Sequence, residues 1–266
     1  RYSKTVKERL YIANNCHQIF FVSKWVMKKF FVGLPFDYKN NCEILYPAIS
    51  ELKYFPEKKK IIIFTGKLNT SKGYDIFGRA ILNILDKFID WKAYAIGNER
   101  RESHNFKHKN FKIIDWLPHE KILNFYKKSS ISVVCSRWQE PFGRTAMESA
   151  AYGCATITTN RGGLKETFNN NLVLENLNTA SLEKLISKIV RNKVLLNRIQ
   201  KDNFKNVVHK ISLLSTKIDN LKSSFLTKKI NYIKNKNLKI LHISTFDEKN
   251  DHRLFNISIA NKLTKG

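Results

Sequence analysis

The sequence predicts an α/β protein with a Rossmann-like parallel sheet flanked by helices, and three observations lead to this fold. From Lys59 to about Arg198, short apolar runs alternate with segments whose apolar residues recur at helical spacing. The links between these segments are short, as in repeated strand–helix units. The apolar runs are continuous, which is typical of strands buried on both faces of a parallel sheet. At 266 residues and 42% hydrophobic, the chain can bury a substantial core.

The first strand and helix of this region show the pattern most clearly. The run KKKIIIFTG (58–66) is a buried strand that ends in glycine. The segment GYDIFGRAILNILDKF (73–88) follows, with apolar residues on one face of a helix. The later elements follow by the same reasoning. We predict strands at 91–97, 111–118, 130–136 and 155–159, and helices at 119–129, 143–153 and 181–192.

The flanking segments divide the chain into four parts. Residues 1–52 alternate helix, strand, helix, strand, as at the end of another α/β unit, and residues 59–207 form the central domain. Residues 208–236 have the pattern of a long helical crossover or linker. Residues 237–266 begin a fresh α/β unit with a strand and a helix. Because the chain starts with Arg1 and stops within this unit, we expect a piece of a longer or processed protein.

The net charge of the chain limits the classes of partner that it is expected to bind. It has 48 basic and 22 acidic residues, a formal net charge of +26. Such an excess attracts nucleic acid, anionic lipid or phosphorylated ligands. Most of it is lysine scattered among Asn and Ile, which an AT-rich genome also produces. Because the lysines are not gathered with stacking aromatics, we expect no specific nucleic-acid partner, while peripheral contact with an anionic membrane surface stays open.

Cysteine and histidine spacing indicates neither disulfides nor metal. No C-x-x-C pair occurs, so we expect free thiols in a reducing compartment. The seven histidines show no metal-ligand spacing, and we expect no bound metal or cofactor. No apolar run is long enough to cross a membrane. We therefore predict a cytoplasmic protein, either free or peripheral at the inner face of the cell membrane.

Two predicted strand ends carry residues that suit a phosphorylated ligand, since ligands gather at the carboxyl ends of parallel strands. The first is TGKLNTSKG (65–73), where Lys67 and Lys72 follow Gly66 in a polar loop. The loop is neither a G-x-G-x-x-G nor a Walker sequence. The two lysines are placed to bind a diphosphate, although a lysine-rich chain also exposes such residues in ordinary loops.

The second strand end is RWQEPFGRTAMESAAYG (137–153), a loop followed by a helix that begins near Gly143 or Arg144. The free amides and positive dipole of that helix end favour an anion. Glu148 lies about 7–8 Å along the helix, where it could accept two sugar hydroxyls while the phosphate sits at the helix end. Glu140 could reach a second sugar beyond the phosphates. The alternative is that both glutamates are ordinary solvated residues.

These segments together resemble a known family. EPFGRTAMESAAYGCATITTNRGGLKE is similar to the glutamate-x7-glutamate motif of retaining family 4 (group 1) glycosyltransferases. GKLNTSKG resembles the diphosphate loop of that family, and HQIFFVSKWVMKKFF with CEILYPAI resembles the end of its N-terminal domain. The resemblance covers roughly residues 10–210 and implies the GT-B fold, in which two Rossmann-like domains face each other. Residues 59–207 would be its C-terminal, nucleotide-sugar donor-binding domain.

The resemblance also implies roles for single residues. Glu148 would hold the donor ribose, and Glu140 would touch the transferred sugar. Lys67 and Lys72 would neutralise the leaving diphosphate, making a metal unnecessary. Other donor contacts are expected at Gly66, Phe142, Gly143, Arg144, Gly162 and Gly163. Two positions depart from the family: Lys67 stands where Arg is usual, which removes a bidentate phosphate contact, and Lys165 stands where Pro is common.

The function implied is transfer of a sugar, with retention, from a nucleotide-diphosphate sugar to a glycan or lipid-linked acceptor. The expected pathway is synthesis of cell-surface polysaccharide or lipopolysaccharide. Residues 237–266 resemble the start of another GT-B N-terminal domain, so a tandem of two transferases is one possibility. The span 1–266 alone is expected to be inactive, because it holds only a remnant of the acceptor domain. Three alternatives are a glycosidase, a degenerate nucleotide-sugar-binding module without turnover, and a basic nucleic-acid-binding protein.

Overall fold

A computed structural model describes residues 2–34, 41–169, 172–230 and 240–243. The chain forms two compact units. The central unit comprises Ile49–Lys210, and the flanking unit combines Arg1–Ala48 with Ile211–Gly266. The secondary structure in chain order is α1 Tyr2–Asn15, β1 Gln18–Phe21, α2 Lys24–Phe30, β2 Cys42–Ile44, β3 Lys59–Thr65, α3 Tyr74–Lys87, β4 Lys92–Ile96, β5 Phe111–Ile114, α4 His119–Lys128, β6 Ser129–Val134, α5 Arg144–Ala151, β7 Ala155–Thr158, α6 Thr179–Arg191, α7 Lys193–Lys205, α8 Ile211–Ile230 and β8 Ile240–Ile243.

The central unit is built on a five-stranded parallel sheet in the order β5-β4-β3-β6-β7. From β3 the chain moves outward through β4 to β5, and it then returns to the other side of β3 for β6 and β7. Because crossovers between parallel strands are right-handed, this reversal places α3 on one face of the sheet and α4 and α5 on the other. The reversal also opens a crevice beyond the carboxyl ends of β3 and β6, where ligands bind in sheets of this kind.

The core of the central unit fills the space between the sheet and the helices α3 and α6. Its fully buried members include Ile62 on β3, Phe77 on α3 and Ile186 on α6. A smaller cluster beneath α5 includes Ala146 and Leu164. Small residues on α5, among them Ala146 and Ala150, allow this short helix to lie close to the sheet. The Rossmann-like fold is confirmed.

One helix of the central unit was not predicted from the sequence. The helix predicted over 181–192 corresponds to α6, and α7 follows it directly, with Asn192 at the end of α6 and the start of α7. The side chain of Asn192 accepts a hydrogen bond from the amide of Leu195 at 2.8 Å, so this residue caps the new helix. The predicted strand over 111–118 is shorter in the structure, since β5 ends at Ile114 and a loop follows.

The flanking unit contains a three-stranded parallel sheet in the order β2-β1-β8. Ser23 caps α2 by accepting a hydrogen bond from the amide of Val26 at 3.0 Å. The long helix α8 lies in this unit, where Lys217 pairs with Glu43 at 3.1 Å. The predicted fresh unit over 237–266 lies mostly outside the described residues, so a second transferase domain stays a prediction.

Candidate functional site

Two loops border the crevice between β3 and β6. The loop after β3 runs from Gly66 to Gly73 and ends in a 3-10 turn over Thr70–Lys72. The loop after β6 leads from Cys135 to Gly143, where α5 begins. These are the two segments that the sequence singled out. The structure therefore brings the predicted lysines and the predicted glutamates to one edge of the sheet.

The loop after β3 is held in place by its own hydrogen bonds and by the close packing of Gly73. Asn69 accepts a hydrogen bond from the amide of Lys72 at 3.0 Å, which closes the 3-10 turn. Gly73 has a φ of 77°, in the left-handed region, and a Cβ there would lie 2.0 Å from the carbonyl oxygen of Cys135. Only glycine fits both conditions. The turn is therefore pressed against the start of the second loop.

Backbone and side-chain contacts tie the two loops together. The carbonyl oxygen of Ser71 accepts hydrogen bonds from the amides of Arg137 at 2.9 Å and Trp138 at 3.0 Å. The guanidinium of Arg137 forms a bidentate pair with Asp75 at 2.6 and 2.8 Å. Burial opposes ionisation of Asp75, but its hydrogen bonds and the charge of Arg137 outweigh burial and lower its pKa. Movement of one loop must therefore displace the other.

Lys72 and Glu140 meet across these loops. The ammonium of Lys72 lies 2.6 Å from Oε1 of Glu140, and the Glu140 side chain is largely buried. Lys67 is half-buried on the same loop as Lys72 and makes no ion pair among the described residues. Two predicted site residues are thus in contact, and a third lies five positions away along the chain. A basic group and a carboxylate are therefore paired at this edge of the sheet.

Loop 140–142 rests on the predicted glycine pair. Gly162 has a φ of 63°, and a Cβ there would lie 2.2 Å from the carbonyl oxygen of Glu140. The amide of Gly163 donates to that same oxygen at 2.7 Å. Both glycines are buried, so in this structure they support the loop. Their predicted contact with a donor stays a prediction.

Helix α5 directs its amino end toward the crevice. Its N-cap residue is Gly143, so no side chain caps the first amides of the helix. The ring of Phe142 is buried and packs edge-on against His209 at 5.1 Å. Only the backbone of Phe142 is therefore placed to meet a ligand. This is the arrangement that an anion at a helix N-terminus requires.

Glu148 projects from the fifth position of α5 and is held by two basic side chains. Its side chain is 5% exposed. Oε1 accepts from Nη2 of Arg144 at 3.1 Å and lies 3.0 Å from Nε2 of His119 at the start of α4. Burial and the charge of Glu148 together raise the pKa values of Tyr126 and Tyr152. Glu148 is therefore a nearly buried carboxylate paired with two basic side chains, and its predicted contact with a ribose stays a prediction.

Sequence analysis missed several residues at this edge. His119 was placed on a predicted helix but was given no role. Glu102, in the loop after β4, accepts hydrogen bonds from the amide and hydroxyl of Thr70, and these bonds lower the pKa of Glu102. The indole of Trp116 donates to Asn98. The available signal was position alone: His119 and Glu102 follow predicted strands, and Trp116 lies near the end of the strand predicted over 111–118.

The described residues contain neither a metal-binding cluster nor a membrane-spanning helix. No group of three or more His, Cys, Asp or Glu side chains among them is suited to hold a metal ion. None of the described helices combines the length and apolar character needed to cross a bilayer. The expectation that the protein works without metal stays a prediction.

Comparisons with known proteins point to one family. The model of the family "Glycosyl transferases group 1" matches residues 48–206. The candidate glycosyltransferase YtcC of Bacillus subtilis (strain 168) is 28% identical over an alignment of 172 residues, which covers 58% of this chain and 42% of that protein. The chain spans less than half of the length of the first curated relatives it matches.

Solved structures resemble the fold. A sucrose-phosphate synthase from Thermosynechococcus elongatus has a TM-score of 0.67 at 15% identity, covering 86% of this chain and 63% of that one. HepE of Anabaena, solved in complex with UDP and glucose, has a TM-score of 0.67 at 12% identity, covering 80% and 64%. Identities this low show a shared fold and leave the chemistry to be argued from the residues.

Proposed function

The chain belongs to the group 1 glycosyl transferases, and from that premise we propose that its central unit binds the donor in a retaining sugar transfer. The reaction would move a sugar from a nucleotide-diphosphate sugar to a glycan or lipid-linked acceptor. Synthesis of cell-surface polysaccharide or lipopolysaccharide is the pathway we favour. The complex of HepE with UDP and glucose supports a donor of this class.

The observation that carries the proposal is the ion pair between Lys72 and Glu140 at the amino end of α5. A diphosphate entering the crevice would meet the Lys72 ammonium on one side and uncapped helix amides on the other. When the bond to the sugar breaks, negative charge develops on the diphosphate. Preorganised hydrogen-bond donors and cations stabilise that developing charge more than they stabilise the intact nucleotide-sugar. This difference is what accelerates the reaction.

The two glutamates would bind the two sugars of the donor. With the diphosphate at the amino end of α5, the ribose would lie along the helix toward Glu148, whose carboxylate accepts its hydroxyls. The transferred sugar would lie on the other side of the diphosphate, beside Glu140. Once Lys72 moves to the diphosphate, the Glu140 carboxylate is free to accept hydroxyls of that sugar. The ion pair is then the resting state of the site.

Lys67 and Lys72 would supply the counter-charge that a metal provides in other transferases. Lys67 is a compact point charge and makes no ion pair among the described residues, so it can turn to the diphosphate without breaking a contact. The remaining predicted contacts of Phe142, Gly143 and Arg144 would come from backbone amides near the helix end. The amide of Gly66 donates to the carbonyl oxygen of Ile96 at 3.0 Å, so Gly66 would contribute only the close approach that its missing side chain allows. We propose a metal-independent site in the cytoplasm, and the net charge of +26 supports peripheral contact with an anionic membrane surface.

The contacts of the two carboxylates favour this function over a glycosidase. A glycosidase needs two carboxyl groups that flank one bond, one of them protonated. Here Glu140 faces Lys72, and Glu148 lies within a helix between two basic side chains. A degenerate binding module would retain the same contacts, so turnover decides between that alternative and the transferase.

The test is a thermal-shift and sugar-release screen of the chain with nucleotide diphosphates and their sugar conjugates. We expect at least one nucleotide diphosphate to raise the melting temperature, and the matching monophosphate to do so much less. The nucleotide-sugar of the same base should bind as well. Failure of every nucleotide diphosphate to stabilise the chain, together with salt-sensitive binding of RNA, would overturn the proposal in favour of a nucleic-acid-binding protein.

A further inference from the structure

We propose that His119 is a positioning residue that orients the carboxylate of Glu148 so that Oε2 faces the donor ribose. The proposal rests on the function argued above and deepens it. His119 lies outside the glutamate motif and 29 positions before Glu148. It comes from a different helix, so its contact fixes Glu148 relative to the start of α4.

Both nitrogen contacts of Glu148 fall on one oxygen. Nε2 of His119 lies 3.0 Å from Oε1, and Nη2 of Arg144 lies 3.1 Å from it. Within residues 2–34, 41–169, 172–230 and 240–243, no hydrogen bond reaches Oε2. In that same part of the chain, the fully buried side-chain polar atoms without a partner belong to Tyr74 and Ser132. Oε2 is therefore not fully enclosed, although the Glu148 side chain is only 5% exposed, and it is the oxygen left to accept a ligand hydroxyl.

His119 is the more rigid of the two partners of Oε1. Arg144 is 60% exposed and lies one turn before Glu148 on the same helix, so its long side chain can follow the carboxylate as it turns. The imidazole of His119 is planar, has two rotatable bonds and follows Pro118, whose φ of −52° sets the entry to α4. Loss of His119 would leave the carboxylate free to rotate about its terminal bond. Binding a ribose would then cost the entropy of ordering it.

If His119 had a purely structural role, its replacement would have different consequences for stability and nucleotide binding. The His119 side chain is 50% exposed, so replacing it removes little buried surface. A stabilising contact would lower the melting temperature without distinguishing one nucleotide from another. A positioning contact acts through Glu148, and its loss must therefore matter only for ligands that carry the hydroxyls that Glu148 accepts.

The experiment measures calorimetric affinities of the chain for UDP, GDP and ADP, and for the 2′,3′-dideoxy form of whichever binds. His119→Ala should weaken binding of the ribonucleotide about threefold to tenfold, the effect of one hydrogen bond. His119→Gln places an amide near the position of Nε2 and should restore most of the affinity. The weakening should vanish for the dideoxy nucleotide. Lys121→Ala, an exposed change on the same helix, is the matched control and should change nothing.

The outcomes separate the inference from the proposed function. If no nucleotide diphosphate binds the unmodified chain, both are overturned. If the nucleotide binds and Glu148→Gln weakens it, but His119→Ala does not, the function stands and the inference is overturned. Equal weakening of the ribo and dideoxy nucleotides by His119→Ala also overturns the inference. Should His119→Ala fail to fold, the same comparison is made with His119→Asn, whose shorter amide cannot reach Oε1 and should behave as Ala was expected to.

Discussion

Glu140 and Glu148 lie eight positions apart in the sequence, and the structure holds them in different ways. Glu140 lies in a loop and has one basic partner, Lys72, which comes from a second loop. Glu148 lies in a helix, is 5% exposed, and has two basic partners on a single oxygen. The first arrangement can be exchanged for a ligand, whereas the second is set before a ligand arrives. One motif therefore supplies both a movable and a preorganised carboxylate.

The largest loss of nucleotide affinity is expected when the preorganised carboxylate, that of Glu148, is replaced. Glu148→Gln keeps the size of the side chain but replaces an anionic acceptor with a neutral amide. We expect the nucleotide diphosphate to bind about 1.5–3 kcal/mol more weakly, as for the loss of a charged hydrogen-bond partner. Calorimetry of the two proteins measures this difference. Unchanged affinity in Glu148→Gln would refute the ribose assignment.

A smaller loss of affinity is expected when the ion pair of Lys72 with Glu140, here called the movable pair, loses its cation. Lys72→Ala should weaken binding of the nucleotide diphosphate by about 1–2 kcal/mol, because the ammonium is proposed to contact the diphosphate. Binding of the matching monophosphate should be less affected. The loss should shrink as salt is raised. Lys112→Ala, an exposed lysine on β5, serves as the control. An equal loss in both variants would mean that general positive charge, and not Lys72, attracts the nucleotide.

The loops that carry the movable pair can be loosened without touching Lys72 or Glu140. Arg137→Leu removes the bidentate pair with Asp75 and should lower the free energy of unfolding at pH 7 by about 1 kcal/mol. The pKa of Asp75 is lowered in the folded chain from an ordinary value of 3.8, so the pair stabilises the fold above that pH and less as pH falls through the folded value. Denaturant unfolding should therefore show a difference between the variant and the unmodified chain that shrinks below about pH 4.

The control for that experiment is Arg79→Leu, since Arg79 is exposed on α3. It should leave both the unfolding free energy and its pH dependence nearly unchanged. A difference between Arg137→Leu and the unmodified chain that grows toward acid pH would contradict the assigned sign. It would show that Asp75 is not held as an anion by Arg137.

The smallest expected effect is that of removing metal. If lysines provide the counter-charge, nucleotide binding and any sugar release by the chain should persist in EDTA. The measurement is the same calorimetric titration with and without chelator. Loss of binding in EDTA that Mn²⁺ restores would mean that the lysines do not replace a metal.

The parts of this site that the sequence predicted are those that a short segment determines. The helical spacing of the segment 143–153 placed Glu148 on α5, and the apolar run before Gly66 placed the lysine loop at a strand end. Binary patterning works here because strands and helices have fixed periods. The position of the crevice followed from the strand–helix alternation.

The parts that escaped prediction are contacts between distant loops. His119 and Glu148 are 29 positions apart, and Arg137 and Asp75 are 62 apart. Loops have no period, so a sequence gives no sign of which loop residues will meet until the strand order is known. The buried positions of Gly162 and Gly163 depend in the same way on the path of the Glu140 loop. Tertiary structure alone reveals that the two carboxylates are held differently.

The measurement that tests this difference most directly is calorimetry of one nucleotide diphosphate with Glu140→Gln and Glu148→Gln side by side. If Glu140 only pairs with Lys72 when no ligand is bound, Glu140→Gln should bind a nucleotide diphosphate without its sugar at least as tightly as the unmodified chain does. Glu148→Gln should bind it about tenfold or more weakly. Equal weakening in both variants, or no weakening in either, would contradict the account of one movable and one preorganised carboxylate.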